Sequence, residues 1–300
     1  MSNSALTLAV ASGKGGTGKT MVATNLAAWA ARLGHQVVLA DCDVDAPNDH
    51  LFFDGYDKAV QWREVDKLQP EIDTNACTVG CTSCRDACRF GAVRIFGNKP
   101  VFFPDLCHSC GACVAACKVG AISEHPHHIG RVGVAPVDRH LTVVSGVMDI
   151  GETDGPMLVR EVRAVASKQE ADVVILDAPP GVACQVVASV RGAGLVLLVT
   201  EPTRFGLHDL ELMMQLGREL GLRMGVVLNR DKRAAVNIEG TCAMEGVPLV
   251  SHIPFERAVA ETYAAGKLIV GALPEAEDWF AGLWSMVEEL TVLGQAGRVA

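Results

Sequence analysis

Aromatic residues are scarce in this chain of 300 residues. Two tyrosines, four tryptophans and nine phenylalanines make up 5% of it, against 49% hydrophobic residues overall. A core so aliphatic favours an α/β protein over a β-sandwich. Positive charge is also short: 26 Lys and Arg against 35 Asp and Glu leave a net charge of −9. No basic stripe compensates, which argues against nonspecific nucleic-acid binding. No run approaches the roughly 18 apolar residues of a membrane span, and no signal-peptide pattern precedes the first apolar run. The expectation is a cytoplasmic chain of one large or two smaller domains, with neither nucleic acid nor membrane as partner.

Cysteine, by contrast, is plentiful. Eleven are present, eight of them between Cys77 and Cys117. Such a count fits either a secreted disulfide scaffold or a metal-binding module. The rest of the sequence decides for metal, because Gly13-Lys14-Gly15-Gly16-Thr17-Gly18-Lys19-Thr20 matches G-x-x-x-x-G-K-[ST] at every fixed position. An apolar run, Leu6 to Val10, leads in, and a helix-forming run, Val22 to Arg32, leads out. The glycines let successive backbone N–H groups face phosphate oxygens, and the helix adds its positive end. Lys19 is placed to contact the β- and γ-phosphates, and the Thr20 hydroxyl to bind Mg²⁺.

Gln36 to Ala40 reads as a second buried strand ending in the acidic stretch Asp41 to Asn48. Carboxylates at the C-terminal end of a strand beside a phosphate loop are placed to meet Mg²⁺ or an attacking water; the lesser alternative, a solvated acidic turn, is disfavoured further by the phosphate loop beside it. From Asp54 the α/β rhythm breaks, and it resumes near Val132. Strands follow at Leu141–Val147, Val173–Leu176, Leu195–Val199, Met224–Leu228 and Pro248–Ile253. Helices alternate with them at Pro156–Lys168, Leu207–Leu220, Ala235–Met244, 256–265 and 275–292. Apolar strands alternating with helices predict a doubly wound, mostly parallel sheet. A P-loop NTPase domain over 1–55 and 131–300 is thus expected, interrupted at 56–130 by a small cysteine-rich α+β domain.

That insertion contains one unit twice. Cys81, Cys84 and Cys88 recur 29 residues later as Cys110, Cys113 and Cys117, and Gly91-Ala92-Val93 recurs as Gly120-Ala121-Ile122. Cys77 and Cys107 complete the sets, the first copy carrying one extra residue. Between the copies, Val93 to Phe103 alternates around Gly97-Asn98 as a small hairpin does. The run is that of bacterial ferredoxins with two [4Fe–4S] clusters, in which the fourth cysteine ligates the other cluster. One cluster then takes Cys77, Cys81, Cys84 and Cys117, the other Cys107, Cys110, Cys113 and Cys88. Arg89 and Lys118 stand where proline is usual. Zinc is the alternative, but its sites usually come as separated C-x2-C pairs. His125, His127 and His128 read as a solvated connector, and Cys42, Cys184 and Cys242 as buried small hydrophobes. Cys184 has a second reading as an added cluster ligand or redox thiol near a dimer interface.

Lys14 to Thr20 resembles the deviant Walker A motif of the MinD/Mrp/ParA class, and the cysteine module is similar to the ferredoxin domain inserted in some of its members. The resemblance implies further roles. Lys14 resembles the lysine that reaches across a nucleotide-sandwich homodimer to the partner's phosphates. Asp43 would orient the attacking water, with Asp41 close to Mg²⁺, and Asp177 looks like the Walker B-type carboxylate opening a second switch. Asn229 resembles the residue that reads adenine, with Pro254 flanking the base. The last helix carries acidic polar positions where MinD-type membrane helices are basic, so packing on the core is expected. The C-x2-C pair of Mrp-type carriers is absent. The implied function is an ATPase that dimerises on ATP and couples it to two [4Fe–4S] clusters, for electron transfer to a redox partner or for metallocluster assembly. The alternative is a ParA/MinD-like spatial regulator with the clusters as redox sensor.

Overall fold

The computed structural model describes residues 5–231 and 236–296, with side chains to 291. In chain order the strands are β1 (Leu6–Ala11), β2 (Val37–Asp41), β3 (Gln61–Ile72), β4 (Val93–Phe96), β5 (Lys99–Phe102) and β6 (Ile122–Asp138). They continue as β7 (Leu141–Met148), β8 (Val173–Asp177), β9 (Leu195–Thr200), β10 (Met224–Asp231) and β11 (Leu249–Pro254). The helices are α1 (Lys19–Arg32), α2 (Tyr56–Ala59), α3 (Ser83–Ala87), α4 (Ala112–Ala116) and α5 (Gly155–Ala166). After them come α6 (Cys184–Val190), α7 (Arg204–Glu219), α8 (Ile238–Glu245), α9 (Arg257–Ala264) and α10 (Pro274–Ala296).

The chain divides into two compact units, one of residues 1–63, 132–147 and 156–300, the other of residues 64–131 and 148–155. Strands β3 and β6 each begin in one unit and end in the other. The second unit therefore starts later than the expected 56, and it takes in a segment after β7 that sequence spacing does not mark.

The first unit is built on a sheet in the order β11-β10-β9-β1-β8-β2-β7, continued by β6 and β3. Every neighbouring pair from β11 to β7 is parallel. β2 and β8 are buried at every residue, as strands covered on both faces must be. Helix α1 is nearly all buried, and it joins Phe280, Leu283, Trp284 and Val287 of α10 in one core cluster. The terminal helix thus spends its apolar stripe inside the protein, and no helix among the described residues is long and apolar enough to cross a membrane. The predicted start of α8 at Ala235 lies outside the described residues; the helix itself begins at Ile238, capped by the Asn237 side chain on Gly240 N–H.

In the second unit the sequence repeat is also a structural one. α3 and α4 occupy equivalent places. Each is followed by a turn in which Gly91 N–H donates to Cys88 O, and Gly120 N–H to Cys117 O. Both glycines have left-handed backbone, φ 71 and φ 66. β4 and β5 form the expected antiparallel hairpin.

The histidines correct the sequence reading. They lie on β6, not on a connector, and face carboxylates: His128 meets Asp66 and Glu64 at 3.1 Å, and His127 meets Glu152 at 2.8 Å. The strand was hard to see because Pro126 and the histidines interrupt its alternation. Lys67, only 2% exposed, binds Glu152 at 3.4 Å and Asp154 more closely, tying residues 148–155 to β3. Lys67→Ala is expected to cost about 2 kcal/mol, because it strands two carboxylates that retain some solvent. Urea unfolding will read that loss, and limited proteolysis will show earlier cleavage within 148–155.

Candidate nucleotide site and cysteine cavities

The phosphate loop follows β1, which lies between β8 and β9 in the sheet. That is where chain connections diverge and an open α/β sheet leaves a crevice for ligands. Two glycines are required by close approach. A Cβ on Gly13 would sit 2.5 Å from the Asp209 carbonyl oxygen. Gly18 has φ +94, and a Cβ there would lie 2.1 Å from Asn229 Nδ2. The loop is tied to its neighbours by backbone: Gly181 N–H donates to Ser12 O, Ala178 N–H to Val10 O, and Cys42 N–H to Asp177 O.

Asp177, fully buried at the end of β8, accepts from Lys19 Nζ at 2.8 Å and from the Thr20 hydroxyl at 2.7 Å. Burial alone would lower the Lys19 pKa, but the charge and hydrogen bond of Asp177 outweigh it and raise it. Asp41, at the end of β2, accepts backbone N–H groups from Asp43, Asn48 and Asp49 at 3.1, 2.8 and 3.0 Å. Burial, then the neighbouring Asp177 charge, pushes its carboxyl up to about 7. Asp43 is half-buried and its carboxyl is also raised, mainly by burial.

Asp49 is the residue that sequence reading missed. It is fully buried and has one ligand atom within 4.8 Å of those of Asp41 and Asp177. The acidic stretch marked by the sequence ends at Asn48, and nothing in its spacing reveals that a 3-10 turn over Asp49–Phe52 puts the next carboxylate inside. A divalent cation fits this place: Asp41 and Asp177 supply oxygens, and the Thr20 hydroxyl is bonded to one of them.

Asn229, at the end of β10, donates to Thr17 O at 2.7 Å and accepts from Arg230 N–H at 2.9 Å. Beside it lies a largely apolar pocket lined by Gly18, Met21, Pro254, Phe255, Val259 and Tyr263. Such a slot can hold a flat base next to an amide. Lys14 is drawn elsewhere than the other loop residues. Its ammonium pairs with Glu201 at 2.5 Å, and Arg230 reaches the same carboxylate at 3.3 Å. Burial opposes charge on Glu201, yet the hydrogen bonds and charges of Lys14 and Arg230 prevail and hold its pKa low. Glu201, one residue past β9, was legible only as a charged residue at the end of a parallel strand.

The eight cysteines of the second unit fall into two groups. One cavity is lined by Cys77, Cys81, Cys84 and Cys117, the other by Cys88, Cys107, Cys110 and Cys113. Backbone N–H groups point at several sulfurs: Ala121 donates to Cys117 Sγ at 3.2 Å and Ser109 to Cys107 Sγ at 3.4 Å. Burial opposes ionisation of Cys88, but the N–H groups of residues 90–93 outweigh it and lower its pKa. Among the described residues the three aspartates form the one group of possible ligands with atoms all within 4.8 Å. No three cysteine sulfurs meet that limit, whereas a tetrahedral zinc site with Zn–S near 2.3 Å needs them about 3.8 Å apart. The donor set, four thiols around each of two cavities, fits a larger group. Of the other cysteines, Cys42 and Cys242 are buried as expected, but Cys184 is exposed, since α6 starts there directly after the Pro179-Pro180-Gly181 loop.

A parallel sheet with a phosphate loop after its central strand, and a lysine and threonine of that loop on a neighbouring strand's aspartate, defines a P-loop nucleotide-binding protein. Residues 8–269 match the model of the CobQ/CobB/MinD/ParA nucleotide binding domain, and the chain belongs to that family. It is a nucleotide-binding protein of the MinD/ParA type. The Methanocaldococcus jannaschii protein MJ0578 is 32% identical over 205 residues, 67% of this chain and 70% of its own. MJ0579 of the same organism is 28% identical over 264 residues, 87% and 90% of the two chains. Among solved structures, the Pyrococcus furiosus cell division ATPase MinD superposes with a TM-score of 0.58 at 20% identity, covering 95% of this chain and 99% of its own. MinD of Pyrococcus horikoshii, solved with Mg-ADP, gives the same TM-score and identity over 95% and 97%. At this identity the likeness speaks for the fold.

Gly18→Ala combines strain at positive φ, about 1–3 kcal/mol, with the collision on Asn229. It is expected to weaken binding of a fluorescent ATP analogue about tenfold or more, as read by equilibrium titration.

Proposed function

We propose that this protein is a nucleotide-switched ATPase whose second unit holds two [4Fe–4S] clusters and acts as a redox input, in a regulator of ParA/MinD type. The observation carrying the reading is that a phosphate site and two four-thiol cavities occur in one chain. On nucleotide binding, the loop amides of Gly13 to Thr20 receive the phosphates, and the apolar pocket beside Asn229 and Pro254 receives the base. Lys19 leaves Asp177 for the β- and γ-phosphates. Asp177 and Asp41 would hold Mg²⁺ with Thr20, and Asp43 would orient water for in-line attack. Lys14 leaves Glu201 to reach the phosphates across a homodimer. The eight cysteines would ligate the clusters in the two sets that line the cavities, and the clusters would supply one-electron redox change.

The family match and the MinD-like fold support the regulator over the electron-transfer and metallocluster-assembly readings. ATP-gated electron transfer to a protein partner is kept as a second reading for one reason: Cys81 and Cys110 are exposed, which gives each cavity a short route to the surface.

Anaerobically purified protein should contain about eight iron atoms per chain. Lys19→Ala should abolish ATP hydrolysis while that iron content stays; turnover persisting in the variant would refute the site assignment. Lys14→Ala should stop dimerisation on a non-hydrolysable ATP analogue in sedimentation velocity. Glu201→Gln, by freeing Lys14, should lower the nucleotide concentration at which the dimer forms. To separate the two readings, reduced and oxidised protein can be compared. A regulator changes its dimerisation or ATPase with oxidation state, whereas an electron carrier passes electrons to an acceptor only while ATP is turned over.

A further inference from the structure

Asp41, Asp49 and Asp177 are all fully buried, yet they are not equally provided for. Asp41 accepts three backbone N–H groups. Asp177 is met by Lys19 and Thr20. Neither carboxylate oxygen of Asp49 accepts from an N–H or hydroxyl group; the side chain within hydrogen-bonding reach is another acid, Asp177. A buried polar group without a donor is costly and rare, and this one lies against two further carboxylates within ligand distance of a common centre. Three buried carboxylates face one buried ammonium, that of Lys19. When all are ionised, the deficit is that of one divalent cation.

We propose that Asp41, Asp49 and Asp177 form a divalent-cation site that fills before nucleotide arrives, and that Asp49 is the ligand that makes it independent of the phosphates. In most phosphoryl-transfer sites Mg²⁺ is held by one or two carboxylates together with substrate phosphates. Here the protein offers a third carboxylate, with no competing donor, from the turn that follows the first acidic loop. The all-oxygen donor set selects a hard ion, Mg²⁺ or Mn²⁺. Lys19 is its competitor in the empty site, since its ammonium already lies 2.8 Å from Asp177. Cation entry therefore loosens Lys19 from Asp177 and readies it for phosphate. The inference rests on the Mg²⁺ assignment of the proposed function, and stands whether or not the second unit carries clusters.

The test is Mn²⁺ binding to the full-length protein without nucleotide, followed by electron paramagnetic resonance, with Mg²⁺ as displacing ion. Wild type is expected to bind one Mn²⁺ that Mg²⁺ displaces. Asp49→Asn, nearly isosteric, should weaken that binding about tenfold or more, with the thermal melt reporting that the fold is kept. Lys19→Met should act in the opposite direction and tighten it, an outcome that general damage to the site would not produce. No displaceable Mn²⁺ on the wild type without nucleotide, or equal affinity in Asp49→Asn, would overturn the proposal.

Discussion

The carboxylate of Asp177 is the constraint around which the nucleotide unit is arranged. It ends a strand buried at every residue, and it holds the lysine and the threonine of the phosphate loop on separate oxygens. That double contact fixes the start of α1 against the end of β8, and the backbone bond from Cys42 to Asp177 O brings β2 with its acidic loop to the same place. A charge of this kind is sustained in a dry interior because its partner is equally dry. Lys19 is nearly as inaccessible as Asp177, so the pair is screened little and neither member survives well alone.

The acidic core extends that logic. Asp41 is satisfied by backbone and Asp43 by solvent, whereas Asp49 has neither. The same strand-end geometry that presents carboxylates to a phosphate group thus crowds them together, and burial, not contact with any one neighbour, is the leading cause of their raised pKa values. Crowded acid groups beside a phosphate site are tolerable when a cation is part of the working state.

Much of this was legible in the sequence, for identifiable reasons. The phosphate loop is a local motif whose residues act through adjacent backbone, so spacing alone places Lys19 and Thr20. The parallel strands are continuous apolar runs, and α10 displays its buried stripe as Phe280, Leu283, Trp284 and Val287. The 29-residue repeat is periodic and therefore visible, and the grouping of sulfurs into two sets follows the spacing rule for such repeats. What was not legible depends on long-range geometry. Asp49 is turned inward by a short turn with no distinctive composition. Glu201 meets Lys14 across 187 residues of sequence. β6 hides its period because adjacent histidines put polar side chains on both faces, where they have found carboxylates on neighbouring segments, and Cys184 is exposed by a proline-rich loop that simple hydrophobicity does not anticipate.

Lys14 begins paired with a carboxylate of its own chain. In a nucleotide-sandwich dimer it would not gain an ionic contact but trade one, giving up Glu201 for a phosphate on the other subunit. A trade of like for like would release little net free energy, so association on the proposed design would be held close to balance. A modest bias from elsewhere, such as a docked protein or a change of charge in the second unit, would then decide whether two chains stay together.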